Sequence, residues 1–174
     1  MKRMFFILLT LLASVSIMSV KAAAADISIE IDSEGNITSS EANPDFTNNV
    51  LTLSTSRNNY TLKIDNPNVS VTGSGVITAD SNVTCKSMDL ASASIKGGTY
   101  DTDVTIHANA SGASAIEGGH FKKSVALTDG VCRIKDGIFD GPVTIGNPSL
   151  ENFVRYQAEI YSGTFNGTVT NYAA

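Results

Sequence analysis

IKGGTYDTDVTI, residues Ile95–Ile106, returns with little change as IEGGHFKKSVAL (Ile116–Leu127), IKDGIFDGPVTI (Ile134–Ile145) and IYSGTFNGTVTN (Ile160–Asn171). The shared phrase is I-x-x-G-x-[FY]-x-x-x-V-x-[IL], and Asn171 is its one departure. Inside the phrase the spacing never varies: glycine three residues after the isoleucine, an aromatic five after, valine nine after. The starts of successive copies, by contrast, lie 21, 18 and 26 residues apart. A fixed phrase with variable gaps describes units stacked on one another and joined by loops of different length, which is a solenoid.

The endings Val-Thr-Ile, Val-Ala-Leu and Val-Thr-Ile alternate apolar and polar residues and are rich in β-branched side chains, so they are short strands. No amphipathic helical stretch of useful length accompanies them, and the leucine and asparagine spacing of a leucine-rich horseshoe is missing. The fold class expected is all-β, a parallel β-helix. Equivalent positions of successive coils then stack about 4.8 Å apart. Ile95, Ile116, Ile134 and Ile160 form one apolar column, Tyr100, Phe121, Phe139 and Phe165 an aromatic one, and Val104, Val125, Val143 and Val169 a third. Gly98, Gly119, Gly137 and Gly163 mark a corner. Two outward columns, Lys96, Glu117, Lys135, Tyr161 and Asp101, Lys122, Asp140, Asn166, alternate in charge from coil to coil, as stacked neighbours should.

Shorter runs at Asn49–Leu53, Tyr60–Ile64, Val69–Val71 and Val83–Cys85 read as worn coils. Ile27, Ile29 and Ile31 alternate in a strand beside the first coil, and Ser33–Asp45, almost without apolar residues, is expected to be a loop or part of a cap. Matching Val83–Cys85 to the end of the phrase puts Cys85 in the column of Ile106, Leu127 and Ile145 and adds Thr84 to an outward threonine column with Thr105, Thr144 and Thr170. Cys132 falls with Ala93, Ser114 and Ala158, about two coils away, beyond the reach of a disulfide. Two buried free thiols are expected.

At the N-terminus, Lys2 and Arg3 precede an apolar run from Phe5 to Val20, and Ala22–Ala25 follow it, the pattern of a secretory signal peptide. The run is short for a membrane span. The expected organisation is a signal peptide over 1–25, an N-terminal strand and cap over 26–48, and β-helix coils over 49–174, secreted to the extracellular space or periplasm with no membrane span after cleavage. A net charge of −5 argues against nucleic acid and anionic membranes.

GGTF-x-x-x-V-x-I together with VTGSGVITA, Val71–Ala79, resembles the right-handed parallel β-helix superfamily that includes pectate lyases and polygalacturonases. It resembles still more the short GGTF-type repeats of bacterial secreted and surface proteins. The resemblance spans Asn49–Asn171 and implies a right-handed coil and polysaccharide as the usual partner. It carries over no catalytic residue, because neither the calcium-binding aspartates with a basic residue nor the grouped aspartates of those enzymes find a match here. Asp101 and Asp103 form the only D-x-D within the repeats, and Asp140 stacks two coils from Asp101 with Lys122 between, which reads as a solvated charge ladder. His107 and His120 sit at different phases of the phrase and make neither a metal pair nor a dyad by spacing. No metal or cofactor is implied.

The strongest candidate for binding is the longest gap, GNPSLENFVRYQAE, Gly146–Glu159, which gathers Asn152, Phe153, Arg155, Tyr156 and Gln157. Aromatics of this kind stack on sugar faces while Arg and amides supply directional hydrogen bonds. The competing reading is a flap that covers the end of the core. The sequence thus points to a secreted, non-catalytic module binding extracellular or surface polysaccharide. Its alternatives are a polysaccharide lyase or hydrolase and a scaffold that associates end to end, since no cap is evident after Val169.

Overall fold

The computed structural model describes residues 26–54, 58–108, 114–146 and 157–172. These residues are all-β, and parallel strands stack as a β-solenoid. Strand β1 (Asp26–Ile31) opens the stack, followed by β2 (Ile37–Ser39), β3 (Asp45–Thr47) and β4 (Val50–Leu53). A single long strand, β5 (Asn59–Gly73), then bends around a whole turn. The next turn comprises β6 (Val76–Ile77) and β7 (Asn82–Ala91). Three-strand turns follow: β8 (Ser94–Ile95), β9 (Thr99–Tyr100) and β10 (Asp103–His107), then β11 (Ser114–Ile116), β12 (His120–Phe121) and β13 (Val125–Thr128). They continue with β14 (Val131–Ile134), β15 (Ile138–Phe139) and β16 (Val143–Ile145). The terminal turn is β17 (Gln157–Ile160), β18 (Thr164–Phe165) and β19 (Val169–Asn171).

About five successive turns therefore run from Asn59 to Ile145, before the terminal one. The repeat columns are the registers of the sheet. Ile95 pairs with Ile116, Ile116 with Ile134 and Ile134 with Ile160. Val104, Val125, Val143 and Val169 pair in the same way on another face. Upstream, the isoleucine row extends through Ile77 and Tyr60 to Ile27. The aromatic row extends through Val83 and Ile64 to Ile31.

Packing follows from that register. Tyr100, Phe121, Phe139 and Phe165 stack with ring centroids 4.9, 5.0 and 4.8 Å apart and interplanar angles of 5–10°. The ring spacing equals the rung spacing of a parallel sheet, so offset stacking comes without distortion. Tyr100 is the one hydroxylated ring, and its Oη donates to Gly97 O at 2.6 Å, so the buried phenol is satisfied. The corner glycine makes room for the ring two residues on. At Gly137, φ is +146°, and a Cβ would lie 2.9 Å from Cε2 of Phe139.

The cap differs from expectation. Within Ser33–Asp45, Ile37–Ser39 is a strand that pairs antiparallel with β1, and β3 pairs antiparallel with β4. These two antiparallel partners end the parallel stack at its N-terminal side. Asn66, buried, donates from Nδ2 to the carbonyls of Asp32 and Ser33 and ties the turn between β1 and β2 to the first full coil.

Cys85 also lies elsewhere than expected. It pairs with Asn66, and its Sγ sits 3.5 Å from Thr102 Oγ1, at the corner after the aromatic row. Leu90 pairs with Ile106 and holds the position that the phrase assigned to Cys85. The threonine column changes with it: Thr84 pairs with Asp65 on another face, and the row containing Thr105 runs Thr52, Thr72, Asp89, Thr105, Ala126, Thr144, Thr170. Cys132 does pair with Ser114 and Ala158, and both cysteines are buried free thiols. Burial raises both above the ordinary thiol value, Cys132 to about 11, which keeps them protonated and unreactive at neutral pH.

The stacked ladder generates a stability prediction. Phe139 is fully buried between Phe121 and Phe165. Phe139→Ala should cost about 3–5 kcal/mol in urea denaturation, and Phe139→Leu distinctly less. Equal, small losses for both would show that the ring ladder is not what fills the interior.

Candidate functional site

The candidate residues of the last insertion, Asn152, Phe153, Arg155 and Tyr156, lie outside the described residues. Gln157 opens β17, where its backbone pairs with Val131. What the described residues do show is the sheet surface on to which that insertion leads.

Strands β14 and β17 are stacked in register, so Arg133 faces Glu159 and Ile134 faces Ile160. Because side chains alternate along a strand, Ile134 points inward while Arg133 and Lys135 on either side point out. On the next rung Glu159 and Tyr161 occupy the matching outward positions. Four side chains thus form a two-by-two patch, about 7 Å along the strand by 5 Å across the rungs. Arg133, Lys135 and Tyr161 line a solvent-open cavity of about 520 Å³ on this face, a volume in the range of small-molecule sites.

The patch is internally bonded. Arg133 Nε donates to Glu159 Oε2 at 2.7 Å, and Tyr161 Oη donates to the same oxygen at 2.8 Å. Lys135 Nζ donates to Glu117 Oε1 on the preceding rung at 3.1 Å. Hydrogen bonds from Arg133 and Tyr161 hold the Glu159 carboxyl below its ordinary value, and the same contacts raise Arg133 and Tyr161. Tyr161 as a residue is 67% exposed even though its hydroxyl is anchored.

This patch was partly visible in sequence. The outward column Lys96, Glu117, Lys135, Tyr161 keeps alternating charge until its last member, where a large aromatic replaces a charge. The companion row reads Val76, Ser94, Ala115, Arg133, Glu159, small or uncharged until its last two members. The signal was a change of residue type along outward rows, which a search for the repeated inward phrase does not register.

The other candidates resolve into ladders. Asp101 is 3.5 Å from Lys123 Nζ. Asp140 accepts from Asn166 Nδ2 at 2.8 Å and pairs with His120 Nε2, and these bonds lower its carboxyl value. Two rungs, about 10 Å of backbone separation, lie between Asp101 and Asp140. The histidines do have partners that spacing within one copy does not reveal, because the partners come from adjacent turns. His107 Nε2 lies 2.7 Å from Asp89 Oδ1, while Nδ1 is 3.2 Å from Asp129 Oδ2 and 2.6 Å from Thr128 Oγ1. The two carboxylates approach opposite nitrogens and do not converge. Among the described residues no three His, Cys, Asp or Glu side chains are placed to hold a metal ion, and no helix is long and apolar enough to cross a membrane.

No family model, curated protein or solved structure matches this chain.

The bonding of Glu159 sets a pH expectation. Its carboxyl titrates below the ordinary 4.5, so the pair with Arg133 is complete above that value and is lost only as pH falls through the lowered one. A side-chain NMR titration should place the Glu159 midpoint below 4.5, and Arg133→Gln should move it upward. A midpoint indifferent to Arg133→Gln would show that the two groups do not interact in solution.

Proposed function

We propose that the protein is a secreted, non-catalytic β-helix module that binds extracellular or cell-surface polysaccharide. The observation that carries the reading is the outward cavity lined by Arg133, Lys135 and Tyr161, beside Glu159. It combines an exposed aromatic face with fixed donors and acceptors, the two elements a sugar needs: stacking for its C–H face and directional hydrogen bonds for its hydroxyls. A solenoid suits the task, since a polymer can lie along a face whose rungs repeat at regular intervals. The insertion residues Asn152, Phe153, Arg155 and Tyr156, with Gln157, belong to the same proposal, because they lead directly into β17. The resemblance of the repeated phrase to those of right-handed pectin-lyase-like β-helices and bacterial GGTF-type repeats is in keeping with this reading.

A second reading has its own observation. On the terminal turn Ile160 is 45% and Val169 44% exposed, although the same rows are buried in the turns before it. A second copy stacked end to end would cover them, and the protein would then act as an extracellular scaffold.

Affinity electrophoresis of residues 26–174 through gels containing single polysaccharides separates these readings. Retardation by at least one polymer, lost in Tyr161→Ala and weakened in the double variant Phe153→Ala/Tyr156→Ala, is the expected result. Unchanged mobility in every gel, with sedimentation that grows with concentration, would reject binding in favour of the scaffold. Falling polymer viscosity during incubation would reject the non-catalytic reading.

A further inference from the structure

Resting on the end-to-end reading rather than on sugar binding, we infer that the last rung, residues 157–172, is the interface of a closed two-fold dimer. Two copies meet there, C-terminal end against C-terminal end.

Two properties set this rung apart from those before it. Among the described residues, β17, β18 and β19 each pair with one strand only, on the preceding rung. The N–H groups of Tyr161, Thr164 and Asn166 donate back to the carbonyls of Ile134, Gly137 and Phe139, so the intervening backbone at Ile160 and Phe165 faces away from the stack. Ile160 and Val169 are exposed on that side, in rows where Ile134 and Val143 are buried. The second property is charge. Residues 131–145 carry Arg133, Lys135, Asp136 and Asp140, whereas residues 157–172 carry Glu159, to which Arg133 on the rung below is bonded. Sheets keep an open edge solitary with charged side chains, lysine above all. Here the edge gives them up: Tyr161 follows Lys135, and Asn166 follows Asp140.

The opposite end shows which surface can meet this rung. There β1 and β4 have partners on both sides, β5 within the stack and the antiparallel β2 and β3 outside it. The outer strands are three residues each. Residues 26–54 hold Asp26, Glu30, Asp32, Glu34, Glu41 and Asp45 with no Lys or Arg. A head-to-tail contact would therefore set the apolar edge against a short, acidic one. A two-fold contact sets the same nearly uncharged edge against itself, the self-complementarity that an isologous interface requires, and it closes at two copies. The facing strands then run antiparallel. A coil of this length has a perimeter of about 50 Å and encloses on the order of 200 Å², against roughly 800 Å² per partner in a standard complex. The pair should accordingly exchange with monomer.

Sedimentation equilibrium of residues 26–174 over a wide concentration range tests this. The expected result is a reversible monomer–dimer equilibrium that stops at two. Val169→Lys and Val169→Glu should each weaken dimerisation by about tenfold or more, because the two-fold places like charges in one small interface. An equimolar mixture of the two should recover association, which also shows that both variants fold. Thr170→Lys, an outward change next to Val169, should weaken the pair while leaving urea denaturation of the monomer unchanged. Species growing beyond the dimer, and strengthened by Val169→Lys as the lysine meets the acidic cap, would overturn the two-fold contact and leave end-to-end association in place. Monomer at every concentration would overturn both, as would a dimer indifferent to all three substitutions.

Discussion

In-register stacking of parallel strands is the constraint on which the rest of this structure depends. Once each turn lies about 4.8 Å above the last, every position faces its own equivalent, and any residue that suits one rung must suit a column. Inward, the constraint favours repetition: flat rings stack at the rung spacing with centroids 4.8–5.0 Å apart, and branched aliphatics fill the remaining rows. Outward, it favours alternation, because like charges one rung apart repel. Lys135 with Glu117 and Arg133 with Glu159 are products of that pressure. The same pressure gives each histidine an aspartate from a neighbouring turn.

How far the sequence could be read depended on corner length. In the four clear copies the valine is the fourth residue after the aromatic, as Val104 is after Tyr100, and the columns there coincide with the sheet register. In β7 the corresponding positions are Val83 and Met88, one residue further apart. In β5 they are Ile64 and Val71, across an irregularity between Asn66 and Ser70. Val83-Thr84-Cys85 imitates the end of the phrase, yet it begins at the aromatic position, which moves Cys85 and Thr84 to other rows. Corners hold no periodic signal, so their length is visible only once the turns are stacked. The strand at Ile37–Ser39 was hidden for a different reason: its partner β1 supplies the hydrogen bonds, and its own burial is slight.

The candidate site sits where the outward rows stop following the pattern of the earlier turns. Small or uncharged residues at Val76, Ser94 and Ala115 give way to Arg133 and Glu159, and the charge alternation of Lys96, Glu117 and Lys135 ends in Tyr161. A solenoid separates its two tasks by direction. Inward residues are bound to the repeat, whereas outward ones change at little structural cost, so chemistry concentrates where an outward row departs from its neighbours. Nothing in the inward phrase distinguishes a sugar-binding chain from a scaffold, and it is on the outward rows that the two readings differ.

Cross-linking tests the stacking register most directly. With Cys85 and Cys132 replaced by serine, paired cysteines at Ala126 and Thr144, which face each other on adjacent rungs, should oxidise readily to a disulfide. Paired cysteines at Thr105 and Thr144, two rungs apart at about 10 Å, should not. Efficient bridging of the second pair, or none of the first, would contradict the register from which every column and the candidate site are built.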